Sequence, residues 1–443
     1  MSIWLPFSVS CIRTSIRSYT SRQFLTTVAD LNEVKENLSM TDLTLSFEVH
    51  QPHRLRIDGV KEDAEDLYDR YFDDEMNEHF FKDVAENCYF PATERLLRAA
   101  RELEGTENEL VVNFSISSSW IEQAEKYHPE LIDMLNKFPE DSIDFIGQAH
   151  YHSLAGLFFD KEEFRWQINR HRDIIEEKFG VRPQVMTNTE LIYHNEIGKV
   201  AAEEGYEGIF TEGAERILGW RSPNHAYTQP DFMDGEKTSI LLRNRELTDD
   251  VGYRFSAEWW SEYPLTADKY AAWLDEEEGD MINLFMDYET FGEHHWEGTG
   301  ILWFLEDLPH EVADREDLQF RKVREVAEKE PVGEFDAFEY NTVSWADQEM
   351  DASAWLGNPM QKMLFEKLQE LEDKVKDLDD PEVKDVWRKF LTSDHLHHIA
   401  TKTMDDGSVH NYFSYFDHPH QGFAVITEHI MDFQQQVEKK LRE

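Results

Sequence analysis

Hydrophobic and polar positions along this chain follow two alternating rhythms. Residues 43–49 read Leu-Thr-Leu-Ser-Phe-Glu-Val, apolar at every second position, which predicts a strand with one face committed to a core. Short apolar runs predict further strands at 110–116, 143–146, 184–187, 208–210, 240–242 and 281–286. Between them apolar residues return at three- and four-residue spacing, predicting helices at 91–103, 121–137, 162–179, 196–204 and 267–274, with Gly180 as the stop of the third. Repeated strand-helix units imply an α/β fold with a parallel sheet, and about seven of them over roughly 260 residues fit a closed or nearly closed barrel. From residue 299 the strand signals fade, and helices are predicted at 302–308, 316–328, 359–375, 381–392 and 423–442. No Pro/Gly/Ser-rich linker separates the two regions, so the helical part is expected to pack on the barrel. The expected division is a poorly ordered extension at 1–39, a barrel at 40–298, and a helical region at 299–443 that completes the active-site cleft.

The ends of two predicted strands carry the chemistry. The run from Met281 to Met286 stops in Asp287, followed by Tyr-Glu-Thr-Phe-Gly, and the run ending at Thr187 delivers Glu190 just before a helix. Parallel barrels present reacting groups at the carboxyl ends of their strands. Two carboxylates on separate strand ends are the minimum equipment for cleaving a glycosidic bond, one as nucleophile and one as proton donor. The plainer alternative, that both are loop-start acids or helix caps, holds for most of the 92 Asp and Glu residues. What sets Glu190 and Asp287 apart is their place in the pattern.

Composition narrows the partners. The 443 residues carry 92 acids against 44 bases, a formal net charge of -48 spread along nearly the whole chain. Such a field repels nucleic acid and anionic membranes, and neither is expected as a partner. It also repels itself, which points to a halophilic cytoplasm, where molar salt shortens the screening length to about 3 Å. Cys11 and Cys88 are too few for a disulfide framework and stand apart from any His/Cys cluster. No apolar stretch reaches the roughly 18 residues of a membrane span. Residues 1–39 hold Arg13, Arg17 and Arg22 among Ser and Thr with no acid before Asp30. That resembles a transit peptide, but the segment is read instead as an untypical extension, with the folded chain beginning near Met40.

Other strand ends add His, Tyr and Trp. The first strand runs into His50-Gln51-Pro52-His53, and the third into Gly147-Gln148-Ala149-His150-Tyr151-His152. His150-x-His152 on an extended segment invites a zinc reading, since alternate residues point the same way, but no third ligand is specified by local spacing. Neutral imidazoles beside Tyr equally suit sugar hydroxyls, so no metal and no cofactor is assigned. Tyr193 follows Glu190, Arg254 follows Asp249-Asp250 and is expected to pair with Glu190, and Asp394-His395 lies in the helical region. Sugar sites pair such groups with stacking aromatics, and of twelve Trp residues Trp296, beside the Asp287 turn, is the best placed, with Trp345 and Trp355 also available.

Taken in order, His50-Gln51-Pro52, the 147–154 segment, Asn188-Thr189-Glu190 with Tyr193, Asp287-Tyr288-Glu289-Thr290-Phe291-Gly292 and Thr392-Ser393-Asp394-His395 resemble the signature regions of glycoside hydrolase family 57. The likeness is to its archaeal α-amylase-like branch, runs from Thr41 to the C-terminus, and includes 247–274 and Ala354-Trp355-Leu356-Gly357-Asn358. The resemblance implies an incomplete (β/α)7 barrel with a C-terminal helical bundle. It further implies retaining cleavage of α-glucans or maltooligosaccharides, with Glu190 at the nucleophile position and Asp287 at the acid/base position. His50, His152 and Asp394 fall at or near sugar-lining positions. Departures are Thr187-Asn188-Thr189 where the family commonly has Trp before its nucleophile, Tyr193 for a usual Trp, and His150 for an acid or aromatic. Three other readings stay open: a 4-α-glucanotransferase or branching enzyme using the same carboxylates, a zinc-dependent polysaccharide deacetylase, and a non-catalytic glucan-binding protein.

Overall fold

In the computed structural model, which describes residues 40–402 and 414–443, strand β1 (Thr41–Val49) is the centre of a parallel sheet. It pairs with β2 (Val112–Ile116) on one side and with β8 (Met281–Asp287) on the other, and β3 (Ile143–Ile146) extends the sheet beyond β2. A second sheet holds β4 (Val185–Thr187), β5 (Gly208–Glu212), β7 (Ser239–Arg243) and the antiparallel edge strand β6 (Tyr227–Thr228). The sheets meet where Gly147, just past β3, pairs with Met186: its N–H donates to Val185 O at 2.9 Å and its carbonyl accepts from Thr187 N at 2.8 Å. At the opposite seam β7 and β8 are joined by single bonds, Asn244 N to Asn283 O at 2.9 Å and Asn283 Nδ2 to Leu242 O at 3.2 Å. The result is an incomplete (β/α)7 barrel with a helical C-terminal region. The expected segment 1–39 and its transit-peptide alternative lie outside the described residues.

The alternation of β1 sorts its side chains. Leu43, Leu45, Phe47 and Val49 share a core with Leu96 of the helix Phe90–Glu102 and Leu305 of the helix Ile301–Ala313. Thr44, Ser46 and Glu48, also buried, are the intervening positions. A second core joins Met186, Ile209 and Leu242 to Trp355, Trp387 and Phe433 of the helical region. That region is thus bound to the β4–β7 side by shared apolar burial.

Several elements differ from the sequence expectation. The helix expected at 121–137 breaks at Pro129 into Ser118–Tyr127 and Glu130–Leu135. The helix expected at 316–328 is instead strand β9 (Leu318–Phe320), paired with β1, and a short helix Val323–Ala327. Three residues are too few for a period to show, and tertiary pairing decides. Helices Leu67–Tyr71 and Asp74–Val84, capped by Asp66 and Asp73, were not anticipated. Among the described residues no helix is long and apolar enough to cross a membrane. Cys88 is buried with its thiol free.

Candidate active site

Every strand that matters here opens at the same end of the barrel. After β4 the chain enters a tight turn in which Glu190 (φ 58, ψ 30) and Leu191 (φ 52) both adopt the left-handed conformation. Non-glycine residues pay for that geometry and keep it only when the surroundings over-determine it. Thr189 Oγ1 donates to Ser153 O at 2.7 Å and Ser344 Oγ to Glu190 O at 2.9 Å. Antiparallel pairing of Tyr193 with Val343 then lays Ser344 and Trp345 over the turn. Trp345 Nε1 donates to Glu190 Oε2 at 2.7 Å, and Ser393 Oγ to Oε1 at 3.3 Å. His152 Nε2 lies 3.4 Å from the same Oε1. Burial alone raises a carboxyl, but here the His152 bond and charge, with Trp345, outweigh it and hold Glu190 below the ordinary glutamate value.

Asp287 is the last residue of β8, and the parallel register sets it directly beside Glu48 of β1. Burial first, then the charges of Glu190 and Glu48, push its carboxyl up to about 7. Glu190 and Asp287 are thus near enough for the charge of one to act on the other, with the first carboxyl lowered and the second raised. Glu289 accepts from Tyr89 OH at 2.5 Å and from His50 N at 3.4 Å, and burial with the neighbouring Asp287 raises it to about 8. The turn that follows needs Gly292 (φ +131), where a Cβ would stand 1.9 Å from Asn87 O.

Two imidazoles stack over the carboxyls, His50 and His152 at 4.2 Å between ring centroids. Both cannot be cations at that separation. His152 takes the charge, raised to about 9 because Glu190 and Glu48 flank it and together outweigh its burial. Burial and the His152 charge hold His50 below its ordinary value, so its Nε2–H donates to Asp394 Oδ2 at 2.9 Å and its Nδ1 accepts from Ser117 Oγ at 2.8 Å. The helical region is tied in through Ser393 N to His152 O at 3.0 Å and Leu154 N to Leu391 O at 3.0 Å.

Glu190, Asp287, His50, His152 and Asp394 are thus brought together, and the remaining candidates lie elsewhere. Tyr193 is 0% exposed and packs against Phe335, so it lines no cleft. Trp355 is 1% exposed, in the core beside His397. His395 is buried with Nε2 facing Lys389 O at 3.2 Å. Arg254 donates to Asp250 Oδ1 at 2.6 Å and to Glu246 O, and the expected pair with Glu190 is not formed, because its own helix supplies the nearer acid. The His-x-His segment is a turn closed by His152 N to Ala149 O at 3.0 Å, with His152 at φ 53, so the two imidazoles diverge. His150 bonds Ser118 Oγ at 2.7 Å and faces Trp166, away from Glu190. Among the described residues no three His, Cys, Asp or Glu side chains converge as a metal site. Trp296 stands 73% exposed on the loop after the Asp287 turn.

The family model described as glycosyl hydrolase family 57 matches residues 44–337. The chain belongs to glycosyl hydrolase family 57. A protein of Methanocaldococcus jannaschii named "Putative alpha-amylase" is 43% identical over 409 residues, 90% of this chain and 85% of its own length. Among solved structures, the family 57 branching enzyme of Thermococcus kodakaraensis superimposes with a TM-score of 0.63 at 15% identity, covering 91% of each chain. The α-amylase AmyC of Thermotoga maritima gives 0.55 at 13%, covering 91% of this chain and 94% of that one. The 4-α-glucanotransferase of Thermococcus litoralis gives 0.54 at 16%, but 85% of this chain spans only 54% of that enzyme. At these identities the structural likeness is one of fold.

Within this family 57 site, the groups the sequence did not single out are Glu48, Gln148, Arg243, Ser393 and, as a partner of Glu190, Trp345. Arg243, at the end of β7, donates to Glu212 Oε2 at 2.8 Å, Asp249 Oδ1 at 2.6 Å and Phe285 O at 2.8 Å, and lies 5.7 Å from the Trp345 ring. Its charge, with that of His152, acts on Asp287, whereas the guanidinium expected from the sequence was Arg254 beside Glu190. The signal that could have found it is a lone base closing an apolar strand, Ser-Ile-Leu-Leu-Arg.

Proposed function

We propose that this family 57 glycosidase is a retaining, α-amylase-like hydrolase of α-1,4-glucans and maltooligosaccharides, with Glu190 as nucleophile and Asp287 as general acid and base. One observation carries the reading: two half-buried carboxyls at strand ends of one barrel whose surroundings push their proton affinities in opposite directions. Glu190, kept bare by His152 and Trp345, attacks the anomeric carbon, while Asp287 gives its proton to the departing glycosidic oxygen. The glycosyl-Glu190 ester is then opened by water that Asp287, now ionised, deprotonates, which restores both groups. Neutral His50 with Asp394, and the cationic His152, are placed to bind hydroxyls of the sugar at the cleavage point. The exposed Trp296 offers a stacking face for a neighbouring unit. Retention requires the two carboxyl groups about 5 to 5.5 Å apart.

Proton NMR of the products from a short α-1,4-glucan tests this reading. The α-anomer is expected first, in free reducing sugars; a first-formed β-anomer excludes retention, and longer oligosaccharides in place of free sugar assign the enzyme to glucan transfer. The pH profile of kcat/KM follows from the same two groups. The rate is expected to fall above about pH 7 as Asp287 loses its proton, and on the acid side only below the ordinary glutamate range, where Glu190 gains one. A profile flat through about pH 9 contradicts the assignment of the acid.

We infer also that the protein works in a salt-rich cytoplasm. The support is the charge of -48 and exposed acid runs such as residues 275–278, which repel one another unless screened. The melting temperature is expected to rise between low and multi-molar KCl. Equal melting in both removes the inference.

A further inference from the structure

Strand β1 places a third carboxyl in the site that the two-carboxylate mechanism does not use. Glu48 is 4% exposed and belongs to a row that crosses the barrel wall, with Asp287 of β8 in register on one side and Ser115 of β2 on the other. Gln148 connects this row to the imidazole layer. Its Nε2 donates to Glu48 Oε1 at 2.7 Å and to Ser115 Oγ at 2.9 Å, which leaves Oε1 to accept from His152 Nδ1 at 2.9 Å. Glu48 Oε1 is itself 3.4 Å from that same Nδ1, and the far nitrogen of the ring is 3.4 Å from Glu190 Oε1. A buried carboxylate with no partner outside this chain of contacts is costly to retain for stability alone.

We propose that Glu48 is a positioning residue that acts on both reacting carboxyls, on Glu190 through His152 and on Asp287 across one rung of the barrel wall. The inference rests on the assignment of Glu190 and Asp287 above. With Gln148 accepting from Nδ1, the His152 ring keeps a proton on that nitrogen, and the negative charge of Glu48 favours a second on Nε2, aimed at Glu190. The orientation of a catalytic base by a buried acid behind an imidazole is general chemistry; here the imidazole serves a nucleophile that is itself a carboxylate. Toward Asp287, Glu48 is a like charge that makes loss of a second proton from the pair unfavourable. The other charged groups facing this pair are Glu190 from the turn after β4 and Arg243 from the end of β7, which oppose one another at Asp287, and Glu289 from the turn after β8, which Asp287 raises. His50 past β1, and Asp394 and His397 of the helix Ser393–His397, face Glu190 and His152 from above. Burial brings Glu48 itself to about 7, so it and Asp287 titrate in one range as a coupled pair.

The test is the pH profile of kcat/KM for Glu48→Gln and Glu48→Asp in the full-length enzyme, with Glu190→Gln and Asp287→Asn assayed beside them. Glu48→Gln removes the charge and keeps the size. Its alkaline limb is expected to move toward acid, so that the rate at pH 8 relative to the optimum falls about tenfold further than in wild type, while the acid limb, where Glu48 is already protonated, stays in place. Glu48→Asp keeps the carboxyl but draws it back from His152 and Asp287, and is expected to move the alkaline limb in the same direction by less. Profiles of both variants that superimpose on wild type after scaling overturn the proposal, since a purely structural role lowers rate without moving limbs. If Glu48→Gln does not fold, the alkaline limb of Glu48→Asp decides alone. Substantial activity in Glu190→Gln or Asp287→Asn instead refutes the underlying assignment, and so separates the two failures.

Discussion

Glu190→Gln is expected to leave less than about one per cent of wild-type turnover on maltooligosaccharides, the largest effect of any single substitution in this enzyme. The change removes the charge and little else. The amide oxygen of Gln can still accept from Trp345 Nε1, its NH2 can donate to Ser393 Oγ in place of the bond that Oε1 now accepts, and the left-handed turn is held through the backbone carbonyl by Ser344. Folding and melting should therefore be close to wild type, and substrate should still bind. What is lost is the lone pair that forms the glycosyl ester. Residual turnover well above about one per cent, in protein free of wild-type contamination, removes Glu190 from the nucleophile's role.

Asp287→Asn is expected to act selectively. An amide in the place of a carboxyl held near 7 can no longer deliver a proton, so glucans, whose leaving group is an alcohol, should lose roughly 10²- to 10⁴-fold in rate. Aryl α-maltosides with acidic phenols leave without protonation, and the first step on them should be much less affected. Deacylation then limits turnover, because the same residue is missing as base, and a burst of phenol should precede slow steady release. The alkaline limb of the profile should vanish with the group that causes it. Equal losses on glucans and activated aryl glycosides contradict the acid role.

What could be read from the sequence followed what is local. Asp287 and Glu190 were visible because each ends an apolar run, and parallel strands in a barrel all open at one end. His50 and His152 were visible for the same reason. The misses have physical causes. Trp345 is 155 positions from Glu190, and its bond depends on the pairing of Tyr193 with Val343, which no local period records. Glu48 alternates with apolar neighbours and so reads as a solvent-facing position, whereas a barrel buries both faces of a strand. Tyr193 and Trp355 carry the residue types of a sugar site but point into the core, which is the commoner fate of large aromatics. The two histidines of His150-x-His152 part because the segment turns at a left-handed residue, and period-two reasoning holds only for extended chain.

The central claim is that one sugar ring is worked on by Glu190 from one side and Asp287 from the other, through a covalent intermediate. A fluorinated α-glucosyl fluoride that forms the ester quickly and releases it slowly measures this directly, by mass spectrometry of the peptides from the inactivated protein. The expected result is one added fluoroglucosyl group per chain, carried by Glu190, with labelling prevented by maltooligosaccharide. A label on Asp287 or on any other residue, or complete hydrolysis of the probe with no adduct under conditions that trap retaining enzymes, would contradict it.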